Sequence, residues 1–229
     1  MCGRYSSTTT IQQIQQQFGA IQIEKTLPDN YNVAPTQRAY VITNESPEEL
    51  QTYHWGLLPF WSKEGKLSGR LINARSEGIE AKPSFRLPVR KRRCLVLADS
   101  FYEWRTENGK KLPYRIYDPN TEVMTFAGIW EHWNKDGQSI HTFSIITTEP
   151  NAEMRPIHNR MPVILSKEES RKEWLLADKL DDALSLLKPL PDGSLELYRV
   201  STKVNSVRNN GEQLHKPATN EKPPSLFAD

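Results

Sequence analysis

Apolar residues Ile11, Ile14 and Phe18 recur at three- to four-residue spacing within TTTIQQIQQQF (8–18), after threonines suited to cap and before Gly19. That pattern predicts a short amphipathic helix. YNVAPTQ (31–37), punctuated by Asn and Pro, reads as a loop, and strand-like runs follow near 38–43 and 50–57. Residues 58–92, rich in Pro, Gly, Lys and Arg, read as irregular. From residue 93 strand patterns crowd together as RCLVLADSFYEWR, LPYRIYD, VMTFAGIWEHW and HTFSIITTE, separated by turn-like ENGKK, DPNTE and NKDGQ. Such short turns require antiparallel pairing, because a parallel crossover takes a dozen or more residues. Helical patterns return at 166–177 and 181–188, and LELYRVS (195–201) reads as a returning strand. The expected class is α+β, one domain over residues 1–229 with a mainly antiparallel β-sheet or barrel core and peripheral helices. A loose tail is expected from about residue 211.

Composition narrows the function classes. The 229 residues are 37% hydrophobic and 25% charged, as a packed globular chain requires. A net charge of +2 does not by itself mark a nucleic-acid binder. Two cysteines, Cys2 and Cys94, are too few for a disulfide framework, and neither a signal peptide nor a membrane-length apolar run is present. A monomer in the reducing cytoplasm is expected, with no membrane partner. The sequence holds no P-loop, GxGxxG, HExxH or CxxC, and its five histidines are scattered, so no metal and no cofactor is expected.

The candidate chemistry starts at MCGRY (1–5). A cysteine exposed by removal of Met1 carries an α-amine and a thiol on neighbouring carbons. That amine, with an ordinary pKa of about 7.7–8.0, is partly nucleophilic at neutral pH. With an aldehyde it can form a Schiff base, which the thiol closes into a five-membered thiazolidine. Gly3 permits close backbone approach, and Arg4 places a cation beside the terminus. In NARSE (73–77), Asn73 is suited to orient an oxygen or the amine and Arg75 to pair with a phosphate, although a turn Asn and a surface Arg account for the segment equally well. Glu103 in FYEW (101–104) becomes an acid/base candidate if it faces inward, whereas strand alternation also allows it to face solvent. His158 in PIHNRMPVIL (156–165) sits at an element boundary, where it can shuttle protons or be structural, and Thr147 and Thr148 close the preceding strand.

MCGRY, YNVAPTQ, HWGLLPFW, NARSE, FYEW and HNRMPVIL occur in this order, and together they resemble the SOS-response-associated peptidase (SRAP) family from residue 2 to about 165. The resemblance implies a sensor of abasic sites that cross-links single-stranded DNA as a thiazolidine on Cys2. It implies Asn73 at the linkage, Glu103 as acid/base, His158 assisting Schiff-base chemistry and reversal, and Arg4, Arg75 and Arg160 on phosphates. Pro35 and Trp61 are similar to residues lining a DNA face. Gly3, Phe85 and Thr147 complete the expected DNA-contacting set. The family more often has glycine before FYEW, where this chain has Ser100. Lys63, Lys66, Arg70, Arg75, Arg86, Lys91, Arg92 and Arg93 concentrate basic charge mid-chain, as a single-strand groove needs, with Trp61 and Phe85 as stacking surfaces. The competing readings are a cysteine peptidase that processes its own N-terminus, with Cys2 as nucleophile and His158 as base, and a noncovalent single-stranded DNA-binding module.

Overall fold

In RCLVLA (Arg93–Ala98) every side chain is buried, and the alternation of a strand divides them between two cores. Cys94, Val96 and Ala98 enter one cluster, and Leu95 and Leu97 the other. A strand covered on both faces is the centre of this fold, which a computed structural model describes over residues 2–218.

The strands are β1 (Tyr5–Ser7), β2 (Gln22–Ile23), β3 (Asn30–Val33), β4 (Arg38–Thr43), β5 (Glu49–Trp55), β6 (Asn73–Arg75), β7 (Arg93–Ala98), β8 (Ser100–Glu107), β9 (Lys110–Tyr117), β10 (Met124–Lys135), β11 (Gln138–Thr148), β12 (Met161–Pro162) and β13 (Glu196–Arg199). The helices are α1 (Ile11–Phe18), α2 (Arg86–Lys91), α3 (Glu168–Leu176) and α4 (Leu180–Ser185). One sheet runs β12-β11-β10-β7-β4-β5-β2 and closes on itself where β11 pairs in parallel with β5, so that β4, β5, β7, β10 and β11 form a five-stranded barrel. The second sheet, β13-β9-β8-β1-β3, wraps one side. The expected class is borne out: pairing is mainly antiparallel, helices are peripheral, and the two cores share the barrel wall within one compact domain.

The inner core gathers Tyr5, Trp55, Phe126 and Phe143 within the barrel, while α1 and α3 press Ile14 and Trp174 onto its outer face. Thr10 caps α1 through a full capping box with Gln13, and Gly19 ends the helix with a φ of 78°. Packing inside the barrel is close at Gly128, where a Cβ would lie 2.8 Å from Cys94 Sγ and 2.9 Å from Val96 Cγ2.

Four readings of the sequence need correction, the first being YNVAPTQ, which is not all loop because residues 31–33 belong to β3, which pairs with β1. The stretch 58–92 is not irregular throughout: it contains β6, which joins β11 in parallel, a 3-10 turn at Ile79–Ala81, and α2. RCLVLADSFYEWR is two strands rather than one, broken at Asp99, and Ser100 is accommodated there because its hydroxyl is buried among Ser6 and Arg115 Nε. The tail is not loose from 211: Leu214 is fully buried, Tyr198 Oη donates to the His215 carbonyl at 2.6 Å, and Val200 bridges Pro217. Its remainder lies outside the described residues. No described helix is long and apolar enough to cross a membrane.

Candidate active site

Register brings the N-terminus to FYEW. In the β1–β8 pair Tyr5 opposes Phe101, and Tyr102 N–H donates to the Arg4 carbonyl at 2.9 Å, so the chain ahead of β1 continues alongside Glu103. Strand β6 arrives from the other side. Its pairing of Asn73 with Ile145 aims the Asn73 amide at the terminus, and Nδ2 donates to the Cys2 carbonyl at 2.7 Å. His158 follows a turn stapled by its own N–H to the Met154 carbonyl (2.9 Å), and its Nδ1 accepts from Arg160 N–H at 3.1 Å. The Arg160 carbonyl lies 3.3 Å from the same Nδ1. His158 Nδ1 stands 3.9 Å from Glu103 Oε1. An open cavity of about 360 Å³ is lined by Glu103, Trp104, Lys111, His158 and Asn205.

Burial sets the protonation states. Cys2 is 0% exposed, and desolvation, aided by the Glu103 carboxylate, holds its thiol far above its ordinary range. Desolvation likewise pushes Glu103 up to about 7. The same cause lowers the His158 imidazole below its usual value. The site therefore combines a neutral thiol, a neutral imidazole and a carboxyl that exchanges its proton near neutrality. Among the described residues no group of three His, Cys, Asp or Glu side chains is placed to hold a metal ion.

The sequence model of the family described as SOS response associated peptidase (SRAP) matches residues 1–207. The chain belongs to the SRAP family. It is 43% identical over 224 residues to the abasic site processing protein YoqW of Bacillus subtilis, across 93% of this chain and 98% of that one. It is 35% identical over 192 residues to the abasic site processing protein HMCES of Gallus gallus, across 72% of this chain and 56% of that one. A crystal structure of a protein from Bacteroides thetaiotaomicron matches with a TM-score of 0.86 at 31% identity, covering 95% of this chain and all of its own.

Of the SRAP residues read from the sequence, Cys2, Asn73, Glu103 and His158 converge, and Glu103 faces inward at 2% exposure. Gly3 is half-buried between Cys2 and Arg4. Arg4 is tied into the fold: Nη1 donates to Asn32 Oδ1 and to the Val204 carbonyl, each at 2.7 Å. Arg160 is clamped by Glu77 through two bonds of 2.6 and 2.9 Å and also donates to the Thr147 carbonyl. Arg75 is exposed on β6, opposite Thr147. Thr147 is fully buried, and neither its hydroxyl nor Asn73 Oδ1 has a hydrogen-bond partner among the described residues. Pro35 is half-buried beside Gly69, and Trp61 is 57% exposed.

Phe85 must be withdrawn as a stacking surface, because it is 7% exposed and packed in the outer core. Phe60, not singled out from the sequence, is the exposed aromatic beside Trp61. Arg93 also leaves the basic face: it is buried, with Nε and Nη2 donating to the carbonyls of Trp174 and Ala177 at the end of α3. Arg92 is paired with Glu131. Lys111 and Asn205 were missed as well, lying 8 and 102 residues beyond Glu103 with no local motif around them.

Proposed function

We propose that this SRAP protein processes abasic sites in DNA by covalent capture through Cys2. The observation that carries the reading is a fully buried Cys2, its carbonyl held by Asn73, beside a carboxyl raised to about 7. After Met1 is removed, the α-amine adds to the C1′ aldehyde of a ring-opened abasic sugar. Glu103, protonated, delivers its proton to the departing hydroxyl, water leaves, and a Schiff base remains. The Cys2 sulfur then bonds to C1′ while the C=N electron pair returns to nitrogen. The nitrogen keeps its own proton through the Schiff base, so the thiol proton passes to Glu103 and restores its carboxyl. One aldehyde and one aminothiol thus give a thiazolidine and one water, with no oxidant or metal in the balance.

Each neighbour has a place in this sequence. Asn73 Nδ2 fixes the Cys2 carbonyl, and its buried Oδ1 is left to accept from the amine. A protonated thiol suits the order of events, since the amine reacts first and the sulfur only after Schiff-base formation. His158, 3.9 Å from Glu103, is placed to assist transfer in formation and reversal. Single-stranded DNA is the substrate form that matches the exposed Phe60 and Trp61 and the exposed Lys63, Lys66, Arg70 and Arg75. A cysteine peptidase would instead need a Cys2 thiolate beside an imidazolium, and burial favours the neutral form of both groups.

The test mixes protein with single-stranded DNA carrying one abasic site and resolves the products on a denaturing gel. A shifted band present in wild type and absent in Cys2→Ala is the expected result. Equal shifting by the variant would overturn capture by Cys2, and Cys2-dependent cleavage of peptides without any shifted band would favour a peptidase.

A further inference from the structure

The cavity lined by Glu103 has two chemically unlike halves. Glu103 and His158 form the proton-transfer half. The rest of the lining is Lys111 from β9, Asn205 from the 3-10 turn at Thr202–Asn205, and Trp104. Trp104 Nε1 donates to Asn205 Oδ1 at 2.7 Å. Because an indole N–H only donates, this bond fixes the amide with its oxygen toward Trp104 and leaves both Nδ2 protons unused. Lys111 is exposed, and no carboxylate among the described residues lies within 4.0 Å of its ammonium. Its charge is felt at His158 across the cavity. Two side chains thus offer donors and no acceptors to the cavity that Glu103 and His158 also line.

We propose that Lys111 and Asn205 form an anion subsite that holds a phosphodiester flanking the abasic sugar, positioning the lesion for attack. The inference rests on the abasic-site reading above and adds the residues that place the substrate. An abasic nucleotide has no base to grip, so its orientation must come from its backbone. A phosphate is the one group always found within a few bonds of the reactive aldehyde. Lys111 supplies the charge, and Asn205, oriented by Trp104, supplies the directional bond. Family sequence words did not mark either residue because the subsite is assembled from segments almost a hundred positions apart, with its second donor close to the end of the matched region.

The experiment measures binding to single-stranded DNA carrying a tetrahydrofuran residue, an abasic analogue with no aldehyde, across a salt series. Cys2 chemistry is silent on this probe, so its outcome is separate from that of the cross-linking gel. Lys111→Ala is expected to weaken binding about 5- to 10-fold at low salt and to reduce the slope of log affinity against log salt by about 0.7, one single-strand phosphate contact. Lys111→Arg restores the slope. Asn205→Asp, the same shape with a repelling charge, weakens binding at least as much. Replacing the 5′ or the 3′ flanking phosphate by a neutral methylphosphonate identifies the contact, because in one of the two arms Lys111→Ala no longer matters. An unchanged salt slope in Lys111→Ala, or an equal loss with both methylphosphonates, overturns the subsite while leaving Cys2 capture standing.

Discussion

Glu103 exchanges its proton near neutrality because β8 carries it inward, where desolvation raises its carboxyl to about 7. The proposed capture requires the amine without its proton and Glu103 with one, so the cross-linking rate should rise and then fall with pH. Glu103→Gln should lower the maximum by about 10²- to 10⁴-fold, the usual contribution of a positioned acid/base. It should also abolish the falling limb while keeping the rising one. Rates of band formation from pH 5 to 9 check this, and an unaltered falling limb in the variant removes Glu103 from the mechanism. At this scale Cys2, Asn73, Glu103 and His158 were legible, since each sits in a short unusual context. Phe85 and Arg93 were not, because composition marks a residue as aromatic or basic without saying which face of its element it occupies. Burial spent Phe85 on the outer core and Arg93 on the carbonyls ending α3.

Elements were legible where their period was local. The Ile11–Phe18 helix with its capping threonine, and the run of antiparallel strands from 93 onward, follow from neighbours in sequence. Strand β6 was not: three residues, NAR, pair in parallel with β11 some seventy positions away, and no alternation can announce such a contact. The same β6 puts Asn73 on Cys2, so the least legible element is the one that completes the site. Barrel closure shows in the other direction at Gly128, where any Cβ collides with Cys94 and Val96 of the neighbouring strand. Gly128→Ala should cost about 1–3 kcal/mol by overpacking. Each kcal/mol lowers Tm by about 2–4 °C for a chain of this length, so calorimetry reads the effect directly. An unshifted transition would mean that the barrel wall yields there at no cost.

Across the whole molecule, the segment ahead of β1 and residues 200–218 meet at the site. Segment 200–218 returns over β1 and β8, its Val204 carbonyl holding Arg4 and its Asn205 lining the cavity. His215 packs against Tyr31 and Tyr102 near Asp99, and burial, with the Arg115 charge, lowers its pKa to about 4. A folded-state pKa below the ordinary 6.5 gives stability that is present above pH 6.5 and lost as pH falls toward 4. Glu103 acts in the opposite sense over about 4.5 to 7, its raised pKa giving stability at the acid end that is lost as pH rises. The two contributions are separable by substitution. Urea midpoints of wild type should decline relative to His215→Gln between pH 6.5 and 4, and parallel curves would contradict a buried neutral His215. The central claim is tested most directly by mass spectrometry of the cross-linked protein after nuclease and trypsin digestion. The expected product is the Cys2–Arg4 peptide without Met1, carrying the sugar remnant as an adduct formed with loss of one water and resistant to borohydride. An adduct on a lysine, or on a chain that still carries Met1, would contradict it.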